Sequence, residues 1–371
     1  MRVLFLAGDV MTGRGIDQVL PQPADARLYE SYVKSARDYV ALAERASGPI
    51  PAPVGFEYVW GDALQVLERM RPAVRIVNLE TAITAGGEPR PDKGIHYRMH
   101  PANAGVLAAA RLDCCAVANN HVLDWGVDGL ADTLAALREA RIAAAGAGED
   151  AQHAAAPAAV RLPDGSRVLV FAYAHSSSGV PREWAATAKR PGVNFLPDLS
   201  PRTVDSIAAA IAPQRGPVDL VVASLHWGGN WGYAVDPAER RFAQSLIDDA
   251  GVDVVHGHSS HHPRGIEVHA GKPILYGCGD LVNDYEGIGG YEEFEPRVCA
   301  MYFPAFEAQS RRLARFDAVP LRIRRFRLER ATAAESRRLA ATLDRESRRL
   351  GSRVALAGDG MLHLEWKERV S

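Results

Sequence analysis

Four cysteines in 371 residues, none in a CxxC pair, leave no basis for a disulfide framework or a thiolate zinc site. Cys114 and Cys115 are adjacent in an apolar run; with Cys278 and Cys299 they read as buried free thiols of a reducing compartment. An excess of one charge is also missing. Lys and Arg total 43 against 45 Asp and Glu, a formal net charge of -2. That balance gives no electrostatic footprint for nucleic acid or an anionic membrane. Long apolar runs are absent too. The N-terminal run 3–7 is too short for a signal segment or a membrane span, and Asp9 follows at once. A cytoplasmic protein with no integral membrane segment is therefore expected. No Gly-rich loop is followed by GKT or GKS, and GGNWG at 228–232 lacks the strand–turn–helix setting of a dinucleotide loop. A P-loop is absent, which argues against an ATP-driven ligase acting alone.

What is present is a succession of short apolar runs separated by helical patterns. Strands are expected at 2–6, 74–78, 114–118, 167–172, 220–225, 252–256 and 273–276, with helices such as 127–139 and 237–250 between them. This alternation argues an α/β fold with a layered β-sheet core flanked by helices. Residues 29–46 have helical spacing and are followed by a Pro-rich stretch, so 20–57 reads as an inserted helix and loop. The last part, 321–371, reads as a strand–helix–strand extension packed on the domain formed by 1–320. In that extension Leu321, Ile323, Phe326 and Leu328 alternate with arginines, and the alternation slips at Arg324–Arg325 as at a bulge. A helix at 333–350 and a final strand at 361–366 follow. The arginines read as a solvated strand face.

Polar residues repeatedly fall just after an apolar strand, where α/β sheets place ligands. Asp9 follows the first run. Asn78 and Glu80 follow the second; Asn119, Asn120 and His121 follow the third. His226 closes a later run, and His256, His258 and His261 close another. Imidazole, carboxylate and amide oxygen together suit a divalent ion such as Mn, Fe, Zn or Ni. A single strand-end histidine is ordinarily structural, but five strand ends delivering this chemistry form a site inventory. His256 reads as a ligand or as a group supporting one. Arg14 and Arg98 have the fork geometry to bind a carboxylate or phosphate, or to serve as structural ion pairs. His175 ends one more strand, and Asp280, Asn283 and Asp284 suit the mouth of a site.

GDVMTGR (8–14), NLE (78–80), ANNHVLDWG (118–126), HWG (226–228), GHSSHHPRGIEV (257–268) and GCGDLVNDYEG (277–287) occur here in an order that resembles the CapA-like proteins. That family is associated with bacterial capsule and poly-gamma-glutamate synthesis and is similar to the metallophosphatase superfamily. The resemblance implies a metallophosphatase-like core and one or two divalent ions per chain. It implies Asp9, Glu80, Asn120, His226, His258 and His261 as metal ligands. His121 is implied as the catalytic acid/base, with Asp124 orienting it and raising its pKa. Arg14, Asn78, Arg98, His256 and Asp284 are then expected to face substrate. The sequence departs from the superfamily pattern at three places. Glu80 stands for a bridging Asp, Met11 for a His, and two residues rather than one separate His258 from His261. The implied function is a hydrolase or transferase acting on a gamma-glutamyl or other peptide-like, anionic polymer. A peptide epimerase of the lasso-peptide type, a phosphoesterase and a non-catalytic capsule-assembly partner are the alternatives.

Overall fold

In the computed structural model, which describes residues 1–91 and 93–367, the strands gather into two large sheets. The first sheet has ten strands. Its centre is the Arg2–Val10 strand, parallel to Val74–Leu79, which is parallel to Cys114–Ala116. On the other flank Arg2–Val10 runs antiparallel to Val298–Phe306, and Leu313–Arg324 continues the sheet. The second sheet has seven strands. Arg167–His175, Leu220–His226, Val254–His258 and Lys272–Leu275 run parallel at its centre. The α/β class and the layered core expected from the sequence are what the chain forms.

The layering follows from the two-residue period of a strand. In Arg167–His175, Val168, Val170, Ala172 and Ala174 join the main core with Leu4 and Leu6 of the first sheet. Leu169, Phe171 and Tyr173 point the other way, toward the helices Pro201–Ile211 and Pro237–Asp248. Two sheets thus stack face to face, with helices outside. The same alternation turns Ser224, His226, His256 and His258 inward. These four polar side chains therefore sit between the sheets, toward the C-terminal ends of their strands.

Several boundaries move. The first strand runs on to Val10 and the 220 strand to His226, so Asp9 and His226 are the last turns of strands and not loop residues. The expected helix at 29–46 forms only at Ala36–Ser47, where Ser35 caps it. Asp62–Met70 and Val298–Phe306 are elements the pattern did not separate from their surroundings. The slip at Arg324–Arg325 is not a bulge. It is the turn of a hairpin between Leu313–Arg324 and Arg327–Arg330, with Arg325 and Phe326 both at positive φ (55° and 57°). Residues 320 and 321, between which the sequence suggests dividing the chain, lie inside one strand. The C-terminal helix, Ala333–Arg348, starts with a Thr332–Glu335 capping box, and Ser352–Leu356 pairs with Leu362–Trp366 after it. Among the described residues, no helix is long and apolar enough to cross a membrane.

The hairpin turn is held by Glu286. Its carboxylate accepts from Phe326 N at 2.7 Å and Ser47 Oγ at 2.6 Å. Glu286→Ala leaves a buried amide without an acceptor and is expected to lower unfolding free energy by about 1–3 kcal/mol in urea titration. A change within about 0.5 kcal/mol, the range of a neutral surface substitution, would show that the turn stands without it.

Candidate metal and acid/base site

The edge where the two sheets meet collects the chemistry. Gly8 decides how tightly: a Cβ there would lie 2.0 Å from Gly279 O, so only glycine lets the 279–282 segment lie against the first strand. Asp9 and Asp280 then become register partners, and Asp9 N donates to Gly279 O. Across the other side, Asp9 pairs with Asn78 and His226 with His258.

Two groups of possible ligand atoms result, each within 4.8 Å of one another: Asp9, His226 and His258, and Asp9, His261 and Asp280. Asp9 belongs to both. It accepts from Asn78 Nδ2 at 2.8 Å and from Ser259 N at 3.3 Å. Asn78 also donates to Glu80 at 3.1 Å, so one amide holds both carboxylates, and Asn119 fixes that amide from behind. Glu80 Oε1 stands 3.8 Å from His121 Nε2 and 3.9 Å from His226 Nε2. His226 Nε2 lies 2.9 Å from Asn120 Oδ1. Asp9, Glu80, Asn120, His226, His258 and His261 are therefore brought together, as is Asp280.

Burial sets the electrostatics. It pushes the Asp9 carboxyl up to about 7, with the Asp280 charge adding, and raises Glu80 well above the carboxylate range with Asp9 as the next cause. It holds His226 and His258 well below the usual imidazole value, so both rings are neutral. Their Nδ1 atoms face each other at 2.8 Å, where only one can carry a proton. For His261 burial works against the charged form, but the Asp280 charge and a 2.9 Å hydrogen bond raise it. Among the described residues, none of Asp9, Glu80 or Asp280 has a Lys or Arg ion pair. Neutral imidazoles beside crowded, cation-free carboxylates are the donor set a divalent ion takes, so these residues fit one.

His121 borders this cluster. Its Nδ1 is 2.7 Å from Asp124 Oδ2, which leaves Nε2 toward Glu80. Asp124 accepts from Lys93 Nζ at 2.5 Å and Tyr97 N at 2.7 Å. Lys93 also donates to Asn120 O. The orientation by Asp124 expected from sequence is present, but the expected rise in pKa is not. Burial pushes His121 down to about 4 against the pull of Asp124, and Lys93 adds to it. The neutral ring is thus a proton acceptor first. Asn120 is half-buried, and His121 and His261, 7% and 8% exposed, are the next cluster members toward the surface.

The residues expected to face substrate have other partners. Arg14 is buried, donating to Asp284 at 2.9 and 2.5 Å and to Glu30 at 3.0 Å, with Tyr39 against its guanidinium. Arg14 and Asp284 form a buried structural ion pair, with Nε and both terminal nitrogens of the guanidinium engaged by Asp284 and Glu30. Arg98 stacks on Trp125 and donates to Asp25 O, away from the cluster. His256 uses both nitrogens, with Ser224 Oγ at 3.1 Å and Ala7 O at 2.8 Å; it braces the Ser224 that bonds His258 at 2.8 Å. Asn78 orients carboxylates. His175 bonds Ser177, whose hydroxyl accepts from Gly228 N. Lys93 and Ser224 escaped the sequence reading. Ser224 carries a signal, its strand parity with His226; Lys93 lies in an irregular loop and carries none.

Residues 3–285 match the family model described as bacterial capsule synthesis protein PGA_cap. A probable polyglutamine synthesis accessory protein of Mycobacterium tuberculosis is 49% identical over 362 residues, 97% of this chain and 95% of that protein. The PGA biosynthesis protein CapA of Bacillus subtilis is 26% identical over 280 residues, 75% of this chain and 62% of that one. The capsule biosynthesis protein CapA of Bacillus anthracis is 27% identical over 285 residues, 76% and 59% of the two chains.

Removing Arg14 strands two buried carboxylates. Arg14→Leu is expected to cost about 3–5 kcal/mol of stability in denaturant titration, with Asp284→Asn in the same direction. Unchanged stability with weakened substrate binding would instead make Arg14 a binding residue.

Proposed function

This chain belongs to the PGA_cap family of bacterial capsule synthesis proteins, and from that premise we propose that it is a metal-dependent acid/base enzyme. The reaction is hydrolysis or transfer on a gamma-glutamyl or other peptide-like polymer. One observation carries the reading: two possible ligand sets share Asp9 and lie beside an imidazole whose proton position is fixed. Asp9, His226 and His258, with Asn120 and Glu80 adjacent, would hold one divalent ion; Asp9, His261 and Asp280 would hold a second. An ion there supplies Lewis acidity toward a carbonyl or phosphoryl oxygen.

The chain's own groups do the rest. Asp124 keeps the His121 proton on Nδ1, so Nε2 takes a proton from the attacking group and later returns it to the leaving group. Lys93 anchors Asp124 and the Asn120 carbonyl together, fixing the base relative to the cluster. Asn78 and Asn119 hold Asp9 and Glu80 in place. The Mycobacterium relative's name as an accessory protein favours a second reading, a non-catalytic role in the polymer pathway. The His121–Asp124 pair supports the enzyme, because a binding module has no use for an oriented proton acceptor.

Protein reconstituted with Mn or Zn is expected to retain metal after dialysis, and Asp9→Asn or His258→Ala to lose most of it by elemental analysis. Metal-free wild-type protein would end the reading. His121→Ala is expected to keep metal and fold but lose turnover by about 10²- to 10⁴-fold on whichever of gamma-glutamyl peptides or phosphodiesters responds. Full activity of that variant removes His121 from the mechanism. Deuterium uptake at an alpha carbon without cleavage would favour an epimerase.

A further inference from the structure

Tyr285 brings to the site a hydroxyl that the mechanism above does not use. Its oxygen accepts from Tyr97 Oη at 3.2 Å. Among the described residues its own proton has one acceptor, Met11 Sδ at 3.8 Å, and a thioether is among the weakest acceptors a protein offers. The Tyr285 side chain is half-buried, whereas Met11 and Tyr97 are buried. The Tyr285 ring packs edge-on against His261 with centroids 5.2 Å apart, and the Tyr97 ring stands edge-on to His121 at 4.7 Å. The pair of hydroxyls therefore links a possible ligand to the proton acceptor. Burial first and the Asp280 charge next hold the Tyr285 phenol well above its ordinary pKa, so the group stays a neutral donor.

The backbone pins this tyrosine from both sides. Tyr285 N donates to Asn283 Oδ1 at 3.1 Å, and Asn283 Nδ2 donates to Asp280 at 2.8 Å. Asp284, next in the chain, accepts from Gly15 N at 2.9 Å and from the Arg14 fork. The same guanidinium lies 4.5 Å from the Tyr97 ring centroid and 5.8 Å from that of Tyr285. The buried Arg14–Asp284 pair thus does more than hold the fold. It fixes a donor beside the cluster that needs no reorganisation when charge develops there.

We propose that Tyr285 is a second catalytic residue, whose hydroxyl donates to the substrate oxygen on which negative charge builds while His121 moves the proton. The proposal rests on the function proposed above. As the nucleophile's oxygen bonds to the carbonyl carbon, the carbonyl π pair moves onto its oxygen, and that oxygen replaces Met11 Sδ as the acceptor of the Tyr285 hydrogen bond. The tyrosine keeps its proton. Collapse returns the pair to the carbonyl and breaks the bond to the leaving group, which takes its proton from His121 Nε2. Met11 is a suitable resting partner, because a hydroxyl loses little on leaving a thioether and gains a charge-assisted bond on meeting an oxyanion.

Inorganic phosphate, a tetrahedral oxyanion, is the probe, titrated calorimetrically into full-length, Mn-loaded protein. Tyr285→Phe keeps the ring against His261 and removes only the donor. It is expected to weaken phosphate binding about tenfold or more, with metal content and melting temperature unchanged. A ring-fluorinated tyrosine in place of Tyr285, a stronger donor of nearly the same shape, is expected to bind phosphate more tightly than wild type. Equal affinity of wild type and Tyr285→Phe overturns the donor role, as does a Mn-loaded wild type that binds no phosphate. Should Tyr285→Phe fail to fold, the fluorinated protein decides, and phosphate binding no tighter than wild type overturns the proposal. Metal retention separates the two levels. Protein that holds metal but is indifferent to the hydroxyl loses only the role of Tyr285, whereas protein that takes up no metal loses the reading beneath it.

Discussion

Three carboxylates, Asp9, Glu80 and Asp280, are buried together between two sheets, and among the described residues their charged neighbours are histidines, with no Lys or Arg ion pair. Burying charge without a compensating cation is expensive, and at Asp9 and Glu80 the cost appears as carboxyl groups that hold their protons above their ordinary range. Everything nearby accommodates this arrangement. Gly8 admits the 279–282 segment, Asn78 bridges two of the acids, and Asn119 holds Asn78. The imidazoles of His226 and His258 are kept neutral, and His256 braces them through Ser224 to the first sheet at Ala7. A divalent ion would relieve the carboxylates and use the imidazole lone pairs at once. Membership of the capsule synthesis family is shown by the match over residues 3–285, and the metal and acid/base reading of the site is the proposal built on it.

How much of this was legible in the sequence depends on what kind of signal each residue carries. Asp9, His226 and His258 were visible because an apolar strand ending in a ligand-type residue is a local pattern. The strands themselves were visible for the same reason, but their division between two sheets was not, since both sets have the same composition and alternation. Asp280 was read only as a mouth residue because its place beside Asp9 depends on a parallel pairing across 270 residues, made possible by one glycine contact. Arg14 was read as a ligand-binding or a structural arginine, and its burial against Asp284, Glu30 and Tyr39 makes it the structural one. For His121 the neighbouring Asp124 was legible and the burial was not, and burial is the larger effect. The Arg325–Phe326 turn was misread because two adjacent non-glycine residues at positive φ are rare enough that a bulge was the simpler reading of a slipped alternation.

The central claim is that Asp9 anchors a metal centre at the edge between the sheets. Its most direct measurement is anomalous diffraction from crystals of the full chain reconstituted with Mn. The account predicts a strong anomalous peak at coordination distance, about 2.0–2.3 Å, from Asp9 and from imidazole nitrogens of His226 and His258, with any second peak between Asp9, His261 and Asp280. An ordered structure with Asp9 still hydrogen-bonded to Asn78, no peak at this edge and manganese bound elsewhere would contradict it.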